Sequence, residues 1–248
     1  MLLVSNFFFK KLVKMCFSLH TEITMIKSIA IDLDDTLLDT SGILAPQATR
    51  EAFSSLIENG LSLTLTECES MRVELIKSLS HRDVFEKLAN EYGTDATRAA
   101  VKQVIDLFYS PILPDKLPLL EGARANLDYL KTKYALYLVT AGTEISQLRK
   151  ARALSIEKDF KKIFVVNSLI KKRKKDSFLE ILSLEKIAPE ELLVIGNSIS
   201  SEMTDAMLIN AVTCYFEFGE DRGLLSDLPR PPHYRVHHHS QLVPTCRL

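Results

Sequence analysis

The chain has 248 residues, 46% apolar and 25% charged, ordinary proportions for a globular protein. That length suits one large α/β domain or a core with a modest insert. A net charge of −1 gives no global electrostatic reason to expect nucleic-acid or membrane binding.

Residues 1–24 are apolar at Met1–Val4 and Phe7–Phe9, but Lys10, Lys11 and Lys14 interrupt them. The stretch is too short and too charged to span a bilayer. A secretory signal would place its basic residues before the apolar run and end in small residues. The expectation is a poorly ordered or mistakenly included extension, with a weak membrane-surface anchor as the alternative and the compact domain starting at Met25. Cys16, Cys68, Cys214 and Cys246 form no CxxC pair or metal-ligand spacing, and read as free thiols in a reducing cytoplasm.

An apolar run, Ile26 and then Ile29–Ile31, predicts a buried parallel strand. It ends in Asp32, Asp34, Asp35 and Asp39. Ligands of open α/β sheets sit beyond the carboxyl ends of such strands. Asp32 and Asp34 leave one face if the chain stays extended, and two such carboxylates repel unless a cation lies between them. Mg²⁺, a hard ion that keeps several waters, is the natural candidate. The bland alternative is a solvated acidic loop that caps the next helix.

Four helices with no intervening strand follow, over about 41–115. Pro46 opens the first and Gly60 stops it. Thr66 and Glu69 read as a capping box for a second, running to about Leu79. Ser80 and Asp83 open a third that ends at Gly93, and the fourth runs from about Asp95 to Tyr109.

The α/β pattern resumes over 116–248. The strand Tyr134–Val139 ends in Thr140-Ala141-Gly142, whose hydroxyl and backbone N–H groups suit an anion, although Thr140 could simply cap the following helix. That helix is expected at about Glu144–Ala153, and the next strand at Ile163–Val166. Lys171–Lys175 is a basic run; nothing aromatic is interleaved to stack bases, so a solvated face is the plainer reading. The strand Leu192–Ile195 leads to Gly196, Asn197 and Glu202. Further strands are expected at Ala211–Phe216 and Tyr234–Val236. His237, His238 and His239 read as surface residues, and His81 carries no pattern. Alternating strands and helices predict a Rossmann-like parallel sheet with helices on both faces.

Asp32-Leu33-Asp34-Asp35-Thr36-Leu37 resembles the first motif of the haloacid dehalogenase superfamily. The resemblance implies that Asp32 attacks phosphorus and that Asp34 protonates the leaving oxygen, with both near Mg²⁺. Thr140 and Ala141 resemble the second, phosphate-binding motif. The third implies one lysine before a helix: counting back from a helix start near Asp176 favours Lys172, and a shorter loop favours Lys174. Asn197 and Glu202 stand where the fourth motif normally has two Asp, which leaves the metal set one negative charge short. The 41–115 insert corresponds to a helical cap.

The implied activity is a Mg²⁺-dependent phosphatase acting on a small phosphorylated metabolite through an aspartyl-phosphate. A phosphomutase shares these motifs. The substituted fourth motif also allows a weakly active or non-catalytic phosphate-binding regulator. A 2-haloacid dehalogenase would find Asp34 superfluous, because its leaving group needs no proton.

Overall fold

The computed structural model describes residues 25–167, 172–220 and 222–248, so the extension expected over 1–24 lies outside the described residues. Six parallel strands, β1 (Ser28–Ile31), β2 (Ala135–Ala141), β3 (Lys162–Val166), β4 (Leu192–Gly196), β5 (Val212–Phe216) and β6 (Tyr234–Val236), form one sheet in the order β3-β2-β1-β4-β5-β6. β1 is central because both its faces are apolar. Ile29 and Ile31 enter one core cluster and Ala30 the cluster on the opposite face. The strand order turns back at the β1–β4 seam, and ligands of open α/β sheets bind beyond the strand ends at such a reversal.

Register brings the expected site residues to one edge. Ile31 pairs with Leu138 on one side and Ile195 on the other, and Asp32 N–H still donates to Ile195 O at 2.9 Å. The residues following β1 and β4, and those ending β2, therefore emerge together.

Between β1 and β2 lie α1 (Thr40–Ile43), α2 (Ala45–Glu58), α3 (Leu65–Leu75), α4 (His81–Tyr92), α5 (Asp95–Tyr109) and α6 (Ala123–Leu130). Helices α2 to α5 enclose a hydrophobic cluster of their own. Its centre stacks Phe85 edge-to-face on Phe53 and Phe108, each at 5.2 Å. Such pairs contribute about 0.5–1.5 kcal/mol beyond area burial. The α3 capping box is Thr64 with Glu67, two residues before the expected pair: Glu67 N–H donates to Thr64 Oγ1, and the Glu67 carboxylate accepts from Thr64 N–H. Thr66 already lies in the first helical turn, and the helix stops at Leu75, short of Leu79. Ser80 with Asp83 caps α4 as expected.

The remaining helices, α7 (Glu144–Ala153), α8 (Lys174–Glu185), α9 (Thr204–Leu208) and α10 (His239–Cys246), pack on the sheet. His239 corrects the surface reading of the three histidines. It starts α10 and turns inward, buried, with its ring 4.8 Å from that of Phe216 and Nε2 2.8 Å from Thr36 O. His237 and His238 are exposed. Among the described residues no helix is long and apolar enough to cross a membrane.

Candidate active site

The loop leaving β1 closes on itself. Leu33 O accepts from the N–H groups of Leu37 and Leu38 at 2.9 and 3.1 Å, while Leu33, Leu37 and Leu38 are buried beneath. Asp35 takes a left-handed φ of +52°, and its carboxylate is anchored by Ser41 N–H and the Ser41 hydroxyl. Gly219 lies so close that a Cβ there would sit 2.4 Å from Asp35 Cγ. Asp32 and Asp34 are thus presented on a fixed frame, and both line one cavity between the strand ends and the α2–α5 bundle.

Lys174 is buried at 3% exposure, and its ammonium bridges Asp32 Oδ1, at 2.6 Å, and Glu202 Oε1. Lys172, the residue favoured by counting, is exposed. The helix begins at Lys174 itself, two residues before Asp176, so the buried lysine is the first residue of the helix and not part of the loop before it. Glu202 also accepts from Ser198 N–H at 2.9 Å and lies over Gly196, where a Cβ would come within 2.6 Å of Glu202 Cγ. Burial, then the charge of Glu202, then that of Asp34 raise the Asp32 pKa to about 7 against the opposing pull of Lys174. Burial opposes the charge on Lys174, but its two carboxylate partners outweigh burial and raise its pKa.

Asp34 is held differently. Lys150 donates to its Oδ1 at 2.7 Å, Thr40 donates to the same oxygen, and Gln147 Nε2 donates to Oδ2 at 3.2 Å. Burial pushes its pKa up, but the Lys150 charge, the Lys150 and Thr40 hydrogen bonds and the Arg222 charge more than offset that and leave it below the usual carboxylate value. Neither Gln147 nor Lys150 stood out in the sequence. They are three apart on α7, so they share a face, and that face is buried while Ile145 is 76% exposed. The inverted polarity of this helix was the available signal.

Thr140 is fully buried and donates its hydroxyl to Gln147 Oε1 at 3.3 Å; its neighbour Ala141 lines the cavity. Asn197 also lines it, with Nδ2 donating to Phe218 O at 3.2 Å. The opposite wall is mostly apolar: Leu44, Ala45, Ala48, Phe108 and Pro111, with His81 and Tyr109 as its polar members. The cavity measures about 180 Å³, below the ~300–1,000 Å³ of sites for drug-sized ligands, which limits it to a small molecule.

Among the described residues no three His, Cys, Asp or Glu side chains converge as a metal cage. Mg²⁺ needs fewer, since it commonly takes one or two carboxylates, waters and a substrate phosphate. The oxygen donors of Asp32, Asn197 and Glu202 fit such an ion.

The chain is similar to known proteins in sequence and in fold. Residues 26–203 match the model of a family described as haloacid dehalogenase-like hydrolase. A glyceraldehyde 3-phosphate phosphatase of Pyrococcus furiosus is 29% identical over 203 residues, covering 79% of this chain and 82% of that protein. A glyceraldehyde 3-phosphate phosphatase of Methanopyrus kandleri is 27% identical over 207 residues, covering 79% and 86%. Among solved structures, the magnesium-bound form of a Bacillus subtilis protein described as the HAD-hydrolase YfnB shares the fold. Its TM-score is 0.60 at 20% identity, over 89% of this chain and 98% of that one.

Proposed function

The chain belongs to the haloacid dehalogenase-like hydrolases, and on that premise we propose that it is a phosphatase that hydrolyses a small phosphorylated metabolite through an aspartyl-phosphate on Asp32. One observation carries the reading: Lys174 ties Asp32 to Glu202 beside Asp34, Ala141 and Asn197, so residues from four separated segments meet around a single small cavity. The relatives named for glyceraldehyde 3-phosphate support a substrate of that size.

In this reading Asp32 Oδ attacks phosphorus in line. Lys174 offsets charge on the equatorial oxygens, and Thr140, fully buried behind the lining residue Ala141, is assigned to phosphate binding with it. Asp32 and Asn197 would hold Mg²⁺, with Glu202 the nearby carboxylate, and the ion would supply positive charge to the phosphoryl oxygens. Asp34 protonates the leaving alkoxide and then takes a proton from the water that opens the acyl-phosphate. Its ion pair with Lys150 keeps it ionised in the free protein; a phosphate anion bound beside it raises its affinity for the proton, because like charges resist ionisation. Residues 41–115, with their own hydrophobic cluster, act as a helical cap over the site. We also place the protein in the cytoplasm, a reading supported by the free, buried Cys68, Cys214 and Cys246.

The acid role is tested with Asp34→Asn. Turnover of an alkyl phosphate is expected to fall by on the order of 10²–10⁴-fold, and that of p-nitrophenyl phosphate by much less, since nitrophenolate leaves without a proton. Equal losses on both substrates would remove the proton-donor role.

The metal role is tested with Asn197→Asp. It restores a carboxylate beside Asp32, and Mg²⁺ measured by calorimetry is expected to bind about tenfold tighter, roughly 1.4 kcal/mol. The full Coulomb gain of a new charge pair is larger, but repulsion from Asp32 and desolvation cancel much of it. An unchanged affinity would exclude Asn197 as a ligand.

A further inference from the structure

Three cations line the cavity, and two of them are already committed. Lys174 sits between Asp32 and Glu202, and Lys150 lies 2.7 Å from Asp34; both are nearly sealed from solvent. Arg222, on the loop that follows β5, differs. Its side chain is 34% exposed, and among the described residues its guanidinium meets only Glu220, at 3.5 Å. Glu220 itself already takes Arg72 Nη1 from α3 at 2.6 Å. His81 Nε2 stands 3.6 Å from the other Glu220 oxygen. Burial, then the charges of Arg222 and Arg72, hold the His81 pKa well below its usual value, so the imidazole is neutral at pH 7 and neutralises nothing. Arg222 therefore lines the cavity with unspent hydrogen-bond donors, although its charge also acts on Asp34 and Asp35 there.

The rest of that wall decides what those donors are for. Leu44, Ala45, Ala48, Phe108 and Pro111 make most of it apolar, with His81 and Tyr109 as its polar members, so burying several unpaired hydroxyls against it is unfavourable. A short chain ending in one anionic group satisfies Arg222 and wets nothing else. We propose that Arg222 is a specificity-determining residue that grips a carboxylate at the end of the substrate remote from the phosphate, so that the preferred substrates are phosphorylated small hydroxy acids. A guanidinium meets a carboxylate through two parallel N–H donors, a geometry that a terminal hydroxyl or aldehyde does not offer. The proposal rests on the phosphatase reading for the position of the phosphate end.

Binding separates the two ideas. In full-length Asp32→Asn protein with Mg²⁺ present, turnover is blocked and affinities can be read by calorimetry. The probes are 3-phosphoglycerate and glycerol 3-phosphate, which differ at the remote end in carboxylate against hydroxymethyl. The parent is expected to bind the acid at least tenfold tighter than the alcohol. Adding Arg222→Met should weaken the acid by 10- to 100-fold and the alcohol by at least tenfold less. Arg222→Lys, which keeps the charge and loses the paired donors, should recover part of the preference. Equal loss on both probes, or a parent that does not prefer the acid, would overturn the proposal. Whether the unmodified chain hydrolyses p-nitrophenyl phosphate tests the phosphatase reading separately.

Discussion

Asp32→Asn is expected to reduce turnover to background, a loss on the order of 10⁴-fold or more, as when a covalent nucleophile is removed elsewhere. The amide keeps the shape of the carboxylate but cannot form the acyl-phosphate. A gain in stability should accompany the loss. Burial, with the charges of Glu202 and Asp34, raises the Asp32 pKa to about 7, so the folded chain holds that proton more tightly than the unfolded chain does. Stability then falls as pH rises from the ordinary Asp value of about 4 through about 7, and the full penalty stands above that. Without the carboxylate the penalty disappears. In metal-free buffer at pH 8 the variant is expected to be more stable than the parent by on the order of 1–3 kcal/mol, with the gain vanishing near pH 4. Denaturant titrations across that range supply the check. Retained turnover would remove Asp32 as nucleophile, and a variant less stable than the parent at pH 8 would show that Lys174 outweighs the opposing charges.

What could be read from the sequence, and what could not, follows one division. The ends of β1 and β4 were legible because apolar runs stop at Asp32 and Gly196, where pattern and chemistry change together. The α4 cap was legible because Ser80 and Asp83 stand at the spacing of a reciprocal cap. The buried lysine was not. A lysine in a first helical turn opposes the helix dipole, so Asp176 looked like the start of α8, and counting back from it favoured Lys172 over Lys174. Two carboxylates from distant segments, Asp32 and Glu202, outweigh that local preference, and nothing within the run Lys171–Lys175 reports them. Gln147 and Lys150 were hidden in the same way. They face inward toward Asp34 while Ile145 faces solvent, a local rule broken where the site requires it. Arg222, single and in a loop, has no period to betray it.

Lys174→Met should produce the largest combined loss of activity and stability in the molecule. Methionine keeps the length and apolar stem of lysine, so the cavity stays filled while the charge goes. Asp32 and Glu202 then remain 5% and 2% exposed with no cation between them. Removing one partner of a buried ion pair typically costs about 3–5 kcal/mol, because the partner left behind is uncompensated. Asp32, whose pKa burial already raises to about 7, can escape part of that cost by taking up a proton, so the deficit should be greatest above pH 7 and smaller near pH 5. Turnover should fall by ~10³-fold or more, since the same ammonium offsets charge on the transferred phosphoryl group. The exposed Lys172→Gln is the control, expected within about 0.5 kcal/mol of the parent and close to it in turnover. The double variant Lys174→Met/Glu202→Gln distinguishes the two duties. It removes one of the stranded charges and should regain much of the stability, while turnover stays low because the phosphate still lacks its lysine. Recovery of both together would mean that Lys174 only neutralises Glu202. An inactive Lys172 variant beside an active Lys174 variant would return the site to the register first counted from the sequence.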